Sequence, residues 1–366
     1  MTHDHFLARR QRARELIDVA LKAIEPWSAT KRAIQELRGQ VNLEGCTVFA
    51  FGKAARGMAE GALSEITPRQ GVVHGFESGH LGPLRLVKSS HPAPAPDAAE
   101  RGLEALELAR SLTVGDVALC LVSGGGSAML ECPRPGISLA QISEESLALM
   151  RAGADITTLN ARRRELSAIK GGGLAAAIKP ATVVTIVISD TPGAPLETVA
   201  SGPTLPSDFT IVAADHITAR DAVLAAAPEL RPLPDLIEGE ARVVGASLAR
   251  LAPGFVATGE TTVTVTGSGR GGRNHELVLG ALQTWRAQPL ANREAHGLIV
   301  SIGTDGVDGS SDAAGAWCDE ALVASAPDPA AALTDNNAHA YFKALDAQVV
   351  TGPTGSNVAD LVLSLP

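Results

Sequence analysis

Val117 to Val122 is an apolar run that ends in Ser123, Gly124, Gly125, Gly126 and Ser127. A strand that empties into three glycines leaves backbone N–H groups unshielded by side chains, and such a loop wraps an oxyanion. The same order of strand, glycine-rich turn and helix recurs from Val263 to Leu282, VTVTGSGRGGRNHELVLGAL, this time carrying Arg270 and Arg273. Two guanidiniums in one turn suit a phosphoryl group or a carboxylate held by parallel hydrogen bonds. Two anion cradles in one chain point to a phosphorylated ligand.

Other polar residues fall just after candidate strands, where ligands collect in open α/β sheets. Gly52 and Lys53 follow the first strand, Ser189-Asp190-Thr191-Pro192-Gly193 the fifth, and Thr304-Asp305-Gly306-Val307-Asp308-Gly309 a later one. Lys53 is a catalytic cation or a surface lysine; Asp190 is a functional carboxylate or a turn residue. Asp305 and Asp308 flank a glycine, so they either hold Mg²⁺ or hydrogen-bond their own loop. Gly267 to Gly272 also satisfies GxGxxG, with Glu294 downstream at the distance of a dinucleotide-binding acid. The arginines in that turn argue instead for a single anionic group. No GxxxxGK[ST] or GxSxG occurs, and His74, His80, His91 and His275 form no ligand spacing, so most histidines are expected to be structural or exposed.

Elements able to position these residues alternate along the chain. Candidate strands are Thr47 to Phe51, Val72 to Phe76, Leu84 to Lys88, Val117 to Val122 and Val183 to Ile188. Between them helical periodicity covers Ala54 to Glu65, Asp97 to Ser111 with Asp97 as N-cap, Leu139 to Arg151, and Leu159 to Ile178. Alternation of this kind predicts a parallel, doubly wound sheet. After a proline-punctuated stretch comes a second unit: strand Val256 to Thr266, helix Asn274 to Arg286, strand Gly297 to Ile302 and helix Ser311 to Glu320. Helix Asn336 to Leu345, strand Gln348 to Val350 and helix Ser356 to Leu363 complete it. The domain reading is therefore 1–210 for a Rossmann-like nucleotide-binding lobe, 211–255 for an inter-lobe region and 256–366 for a smaller α/β lobe, with the ligand in a cleft between lobes.

Composition bounds the partners. The chain has 366 residues, 45% hydrophobic but only 3% aromatic, which fits α/β layers packed from Ala, Val, Leu and Ile. A net charge of −9 excludes a broad basic footprint for nucleic acid or an anionic membrane. Cys46, Cys120, Cys132 and Cys318 include no CxxC pair, so neither a disulfide framework nor a zinc site is expected, and a reducing cytoplasm fits. The start of the chain reads as an amphipathic helix, with Ile17, Leu21 and Ile24 on one face, and no apolar run reaches the roughly 18 residues of a membrane span.

Eight ordered segments carry a family resemblance over nearly the whole chain: FGKAARGMA, SSHPAPAPD, LVSGGGSAML, LNARRRELSAIKGGGLA, VISDTPGAPLETVASGPT, GETTVTVTGSGRGGRNHE, GTDGVDGSSDAAGA and VTGPTGSNVADL. Together they resemble the glycerate 2-kinase family, whose C-terminal half is called the MOFRL domain. The resemblance implies transfer of the γ-phosphoryl of ATP, with Mg²⁺, to the 2-hydroxyl of D-glycerate. It implies Lys53 and Arg273 as the principal catalytic charges, with Asp190 as metal ligand or acceptor of the hydroxyl proton. Gly52 and Ser123 to Ser127 would cradle the nucleotide phosphates, and Asp190, Asp305 and Asp308, with Asp312 near them, would be the acidic groups at the metal. Arg270, Lys170, Asn274 and Asp305 are the expected substrate contacts, with Arg164 a further cation for the carboxylate. The partner implied is a small hydroxy acid; the sequence leaves open whether the chain forms a homodimer. One departure stands out: Leu205 to Thr258 is compressed relative to the family, and a glycine-serine-asparagine turn is replaced by Ala214-Asp215-His216. The competing readings are a hydroxypyruvate reductase, resting on GxGxxG, and a non-catalytic nucleotide-binding paralogue.

Overall fold

The computed structural model describes residues 3–91, 93–153, 156–288 and 296–366; Glu294 lies outside them. The chain divides into two compact units, Glu25–Ala214 and Met1–Ile24 together with Asp215–Pro366. This corrects the expected division, in which the N-terminus belonged to the first lobe and 211–255 was a connector. Helix α1 (His3–Ala23) buries Leu16, Ile17 and Ala20 within the second unit, and Arg9 and Arg10 form ion pairs with Glu320 and Asp319 at 2.6 and 2.8 Å. Partners some 300 residues away fix that helix, so local periodicity could show its amphipathic face and not what covers it.

In the first unit, α2 (Pro26–Leu37) starts where the Glu25 carboxylate accepts the N–H groups of Trp27 and Ser28, with Pro26 supplying a preset φ at the first helical position. There follow β1 (Thr47–Phe51), α3 (Ala55–Leu63), β2 (Gln70–Gly75), β3 (Gly79–Leu81), β4 (Leu84–Lys88), α4 (Ala98–Arg110), β5 (Val117–Ser123) and the short α5 (Gly126–Met129). Next come α6 (Leu139–Arg151), α7 (Ile156–Leu166), α8 (Gly173–Ile178), β6 (Thr182–Ile188), a 3₁₀ segment Leu196–Ser201 and β7 (Phe209–Ala214). The sheet order is β3-β4-β2-β1-β5-β6-β7, parallel throughout except that β3 runs against β4. The chain first winds outward from β1 through β2 to β4, then returns to the other side of β1 at β5. The switch point therefore lies between β1 and β5, so the turns after them, Gly52-Lys53 and Gly124 to Ser127, border the crevice where such sheets bind ligands.

Two expectations change here. Asp97 does not cap α4 and is paired with Arg101 instead. The helix expected from Leu159 to Ile178 is two helices. Ser167 Oγ accepts the amides of Ile169 and Lys170, and Gly171 and Gly172 take φ of +59° and +84°, which ends one helix before the next begins.

The second unit continues with α9 (His216–Ala226), β8 (Arg231–Pro232), β9 (Ile237–Glu240), α10 (Ala241–Leu248), β10 (Phe255–Thr262), α11 (Arg273–Arg286) and β11 (Leu298–Gly303). It closes with β12 (Gly315–Asp319), α12 (Glu320–Ser325), α13 (Ala330–Thr334), α14 (Ala338–Ala344), β13 (Gln348–Val349) and β14 (Asp360–Leu365). The sheet order is β13-β12-β11-β14-β10-β8, with β9 also on β10, and it is mostly antiparallel. The segments expected as helices at Ser311 to Glu320 and Ser356 to Leu363 hold strands β12 and β14. Both are buried on each face and only five or six residues long, so a short run of this kind is hard to distinguish from a buried helix, although Leu361, Leu363 and Leu365 of β14 do alternate with Asp360, Val362 and Ser364. The compressed stretch is likewise folded: Asp215 opens α9 with a capping box, its carboxylate taking the Thr218 amide at 2.8 Å, and β8 and β9 pair with β10. No helix among the described residues is long and apolar enough to cross a membrane. All four cysteines are free and buried.

Candidate active site

The turns after β1 and β5 are clamped together. The Lys53 amide donates to Gly124 O at 2.9 Å, and the Ala54 amide to Ser123 Oγ at 3.1 Å, so the Ser123 hydroxyl holds the two turns together in the crevice wall. Gly52 has φ +117° and faces Ser123 so closely that a Cβ would strike its hydroxyl. The glycines of the β5 turn each serve a close approach. A Cβ on Gly124 would land on the Asp190 carboxylate; one on Gly125, at φ +81°, would crowd His91 Cδ2 at 3.0 Å and Lys53 Cγ at 3.1 Å; and one on Gly126 would crowd Ala200 and Phe51 at 2.9 Å. The amides of Gly124 and Gly125 have no acceptor among the described residues. The exposed Lys53 side chain makes no ion pair among them either, and its Cγ and the Asp190 carboxylate both lie against the glycine turn at the switch point.

Beside this turn lies a cavity of about 440 Å³ within the first unit, whose polar wall includes His91, Ser127, Asn160, Arg163, Lys170 and Asp190. Its apolar wall is built by Ala128, Ile142, Leu147 and Met150. Ala200 and Ser201 enter the left-handed region, φ 52° and 64°, which brings Ser201 Oγ to 3.1 Å from Ser127 Oγ and 3.3 Å from Asn160 Oδ1. Backbone held in that region by surrounding structure is characteristic of binding sites. Burial, and then the Lys53 charge, lowers the pKa of the His91 imidazole from its ordinary value.

Lys170, expected to contact substrate, is buried and paired with Glu131, whose other oxygen accepts Ser167 Oγ at 2.5 Å and the Cys132 amide at 3.0 Å. Burial lowers the Lys170 pKa, with Glu131 opposing. Arg164 donates to the Glu197 carbonyl at 2.9 Å. Among the described residues Arg163 donates through Nε alone, to Ser146 Oγ at 3.3 Å, and burial lowers its pKa against the opposing field of Glu131. His91, Glu131, Asn160, Arg163 and Ser201 were not legible as site residues. Helical spacing from Asn160 reaches both Arg163 and Arg164, and only the fold separates them.

In the second unit the glycine-rich turn is not an open cradle. The amides of Thr266 and Gly267 donate to Asn336 Oδ1 at 2.8 and 2.9 Å, that of Ser268 to Asp335 Oδ1 at 2.9 Å, that of Gly269 to Asp335 O at 2.9 Å and that of Arg270 to Asn337 Oδ1 at 3.1 Å. Gly267 and Gly269 have no room for a Cβ because the backbone of residues 335–337 lies against them. That packing, and not a pyrophosphate, accounts for the GxGxxG spacing. Arg270 spends its guanidinium on Ser310 O, at 2.7 Å from Nη2.

Arg273 opens α11 and binds Asp360 through both Nε (2.5 Å) and Nη2 (3.0 Å), with Glu260 also 2.6 Å from Nη2. Burial works against its charge, but the Asp360 and Glu260 carboxylates hold its pKa above the ordinary value. Asn274 donates to Asp308 and Asp360 and accepts from Ser301 Oγ at 2.5 Å, so its amide is fully engaged. Asp308 caps α11: its oxygens accept the amides of Asn274 and His275 at 3.0 and 2.9 Å and His275 Nδ1 at 2.6 Å. Burial raises its pKa, yet those bonds prevail and hold it below the usual carboxylate range. Asp305 closes its own turn on the Val307 amide at 3.1 Å, and Asp312 lies 3.4 Å from His339 and 3.5 Å from Lys343. The loop-stabilising alternative thus describes Asp305, whereas the Asp308 carboxylate bonds the start of α11 and not its own loop, and among the described residues no three His, Cys, Asp or Glu side chains gather as a metal cluster.

A doubly wound sheet with an anion-ready glycine turn at its switch point, followed by a mixed α/β unit, defines the class of protein. Residues 12–231 match the model described as "Domain of unknown function (DUF4147)" and residues 254–360 the MOFRL family. The D-glycerate 2-kinase of Thermotoga maritima is 32% identical, with 96% of this chain and 97% of that protein covered. A crystal structure of glycerate kinase from the same organism superposes with a TM-score of 0.88 at 30% identity, over 96% of this chain and 98% of that one. A relative from Agrobacterium vitis, 34% identical over 86% of this chain and 98% of its own length, is provisionally named a hydroxypyruvate reductase. The chain belongs to the glycerate kinase family.

Proposed function

We propose that this chain transfers the γ-phosphoryl of ATP to the 2-hydroxyl of D-glycerate, giving 2-phosphoglycerate and ADP. The observation that carries this reading is the switch-point turn, where the amides of Gly124 and Gly125, without an acceptor among the described residues, adjoin the Lys53 side chain. A transferring phosphoryl spreads negative charge over its oxygens, and fixed donors and cations lower that barrier. The 2-hydroxyl oxygen forms the new bond to phosphorus, the bond to the β–γ bridging oxygen breaks, and the hydroxyl proton passes to a base. Asp190, packed on Gly124, suits either that proton or the Mg²⁺ that accompanies nucleotide phosphates, an ion that needs only one or two protein carboxylates. Mg²⁺, when bound, supplies further neutralisation of phosphate charge. Arg273 is the other cation that the family resemblance implies, and among the described residues its Nη1 is left over from the contacts to Asp360 and Glu260.

A nicotinamide-dependent reductase finds less support, since the amides of the GxGxxG turn already serve residues 335–337. The test is an assay of purified protein with ATP, Mg²⁺ and D-glycerate, coupled to detection of 2-phosphoglycerate, run beside NADH oxidation with hydroxypyruvate. Phosphorylated product without NADH oxidation is expected. NADH oxidation without product would reverse the assignment.

A further inference from the structure

We propose that Arg163 receives the carboxylate of the hydroxy acid, inside the cavity of the first unit, with Asn160 and the Ser127 and Ser201 hydroxyls around it. This deepens the kinase reading and rests on it. A small hydroxy acid offers two handles, a hydroxyl that reacts and a carboxylate that does not, and the second needs a cation held away from the phosphoryl group.

The candidate cations are reduced by what they already bind. Arg270 is bonded to Ser310 O and Arg164 to Glu197 O. The Lys170 charge is answered by Glu131, at the back of the same wall. Lys53 stands at the glycine turn, where the phosphoryl oxygens are expected. Arg163 lines the cavity, is half-buried, and uses only Nε, on Ser146; its two terminal nitrogens bond no group among the described residues. Those two nitrogens form the edge that takes a carboxylate. The anionic groups of the wall do not block it. Glu131 is saturated by Lys170, Ser167 and the Cys132 amide, and Asp190 lies against Gly124, on the side of the glycine turn. The Lys170–Glu131 pair thus leaves in the same wall a second cation whose charge is already answered.

The test pairs protein and ligand changes. Wild type, Arg163→Gln and Arg163→Lys are assayed with D-glycerate and with its neutral amide, D-glyceramide, and D-glycerate binding is measured by calorimetry without nucleotide. Loss of a charge-assisted pair predicts a KM and Kd for D-glycerate raised roughly 10- to 100-fold in Arg163→Gln, with KM for ATP unchanged. The preference for D-glycerate over D-glyceramide should collapse in that variant and recover in part in Arg163→Lys. A merely structural arginine would weaken both ligands alike. Should Arg163→Gln fail to fold, as judged by its thermal transition, the discrimination ratio of Arg163→Lys decides. Wild-type discrimination in the folded variants, or an effect confined to ATP, overturns the assignment while leaving the kinase reading in place. Binding that depends on Arg163 in a protein that transfers no phosphoryl would do the reverse.

Discussion

The carboxylate of Asp190 lies where the side chain of any residue larger than glycine at position 124 would begin. β5 and β6 are parallel neighbours, Ser123 opposite Ile188, so the turns that follow them run side by side and this contact follows from the sheet register. Gly124 is therefore required by a close approach as well as by an open backbone. Gly124→Ala should displace Asp190 and lower kcat/KM by roughly 100-fold, the cost of misplacing a reacting group by about 1 Å. Circular dichroism and a melting curve near wild type would accompany that loss. A Gly124→Ala enzyme with full activity would remove Asp190 from the reaction.

Lys53 is exposed and makes no ion pair among the described residues, so its side chain contributes little to folding. Lys53→Ala should therefore lose about 100- to 1000-fold in kcat while its melting temperature stays close to wild type. Equal losses in the two would show a structural lysine.

Arg273 behaves differently. Its partner Asp360 is 1% exposed, and burial pushes that carboxyl up to about 6 even with Arg273 and Asn274 hydrogen-bonded to it. Arg273→Ala removes the counter-charge of this buried carboxylate and leaves Asn274 as its side-chain donor, so the variant should lose about 1–3 kcal/mol of stability at pH 7 as well as turnover. Arg273→Ala combined with Asp360→Asn should regain much of the stability and none of the turnover. Chemical denaturation of the three variants distinguishes the two contributions.

His74, on β2 and 1% exposed, has no hydrogen-bond partner for either ring nitrogen among the described residues. Burial, with Arg85 and Arg101 adding to it, lowers its pKa from 6.5 to about 3. The folded state therefore keeps it neutral while the unfolded chain takes up a proton below pH 6.5. Its contribution to stability is fully present above that pH and falls by about 1.4 kcal/mol for each pH unit down toward 3. His74→Leu should flatten the stability profile between pH 6.5 and 4, measured by urea midpoints. An unchanged acid limb would contradict this account.

The first unit was largely legible because parallel strands and their helices carry distinct periods: Thr47 to Phe51, Leu84 to Lys88 and Leu139 to Arg151 have the bounds their sequences predict. The second unit was less so. Its central strand Asp360–Leu365 is buried on both faces, with Asp360 and Ser364 among the buried residues, and a segment this short fits helix and strand alike. At the site, the glycine turn and Lys53 followed from residue type and position after a strand. The occupancy of the other turn did not, because the side chains filling it, Asp335 to Asn337, come from some 70 residues downstream. Nor could residue type reveal which arginine was spent: Arg163, Arg164 and Arg270 differ only in what the fold places beside them.

The central claim is that the first unit's glycine turn and Lys53 direct a phosphoryl group onto the 2-hydroxyl of a hydroxy acid. Its most direct test is phosphorus NMR of the products formed from ATP, Mg²⁺ and D-glycerate by wild type and by Lys53→Ala. The account predicts ADP and 2-phosphoglycerate in equal amounts from wild type and almost none from the variant. ADP released with inorganic phosphate, or phosphate on the 3-hydroxyl, or equal 2-phosphoglycerate from both proteins, would contradict it.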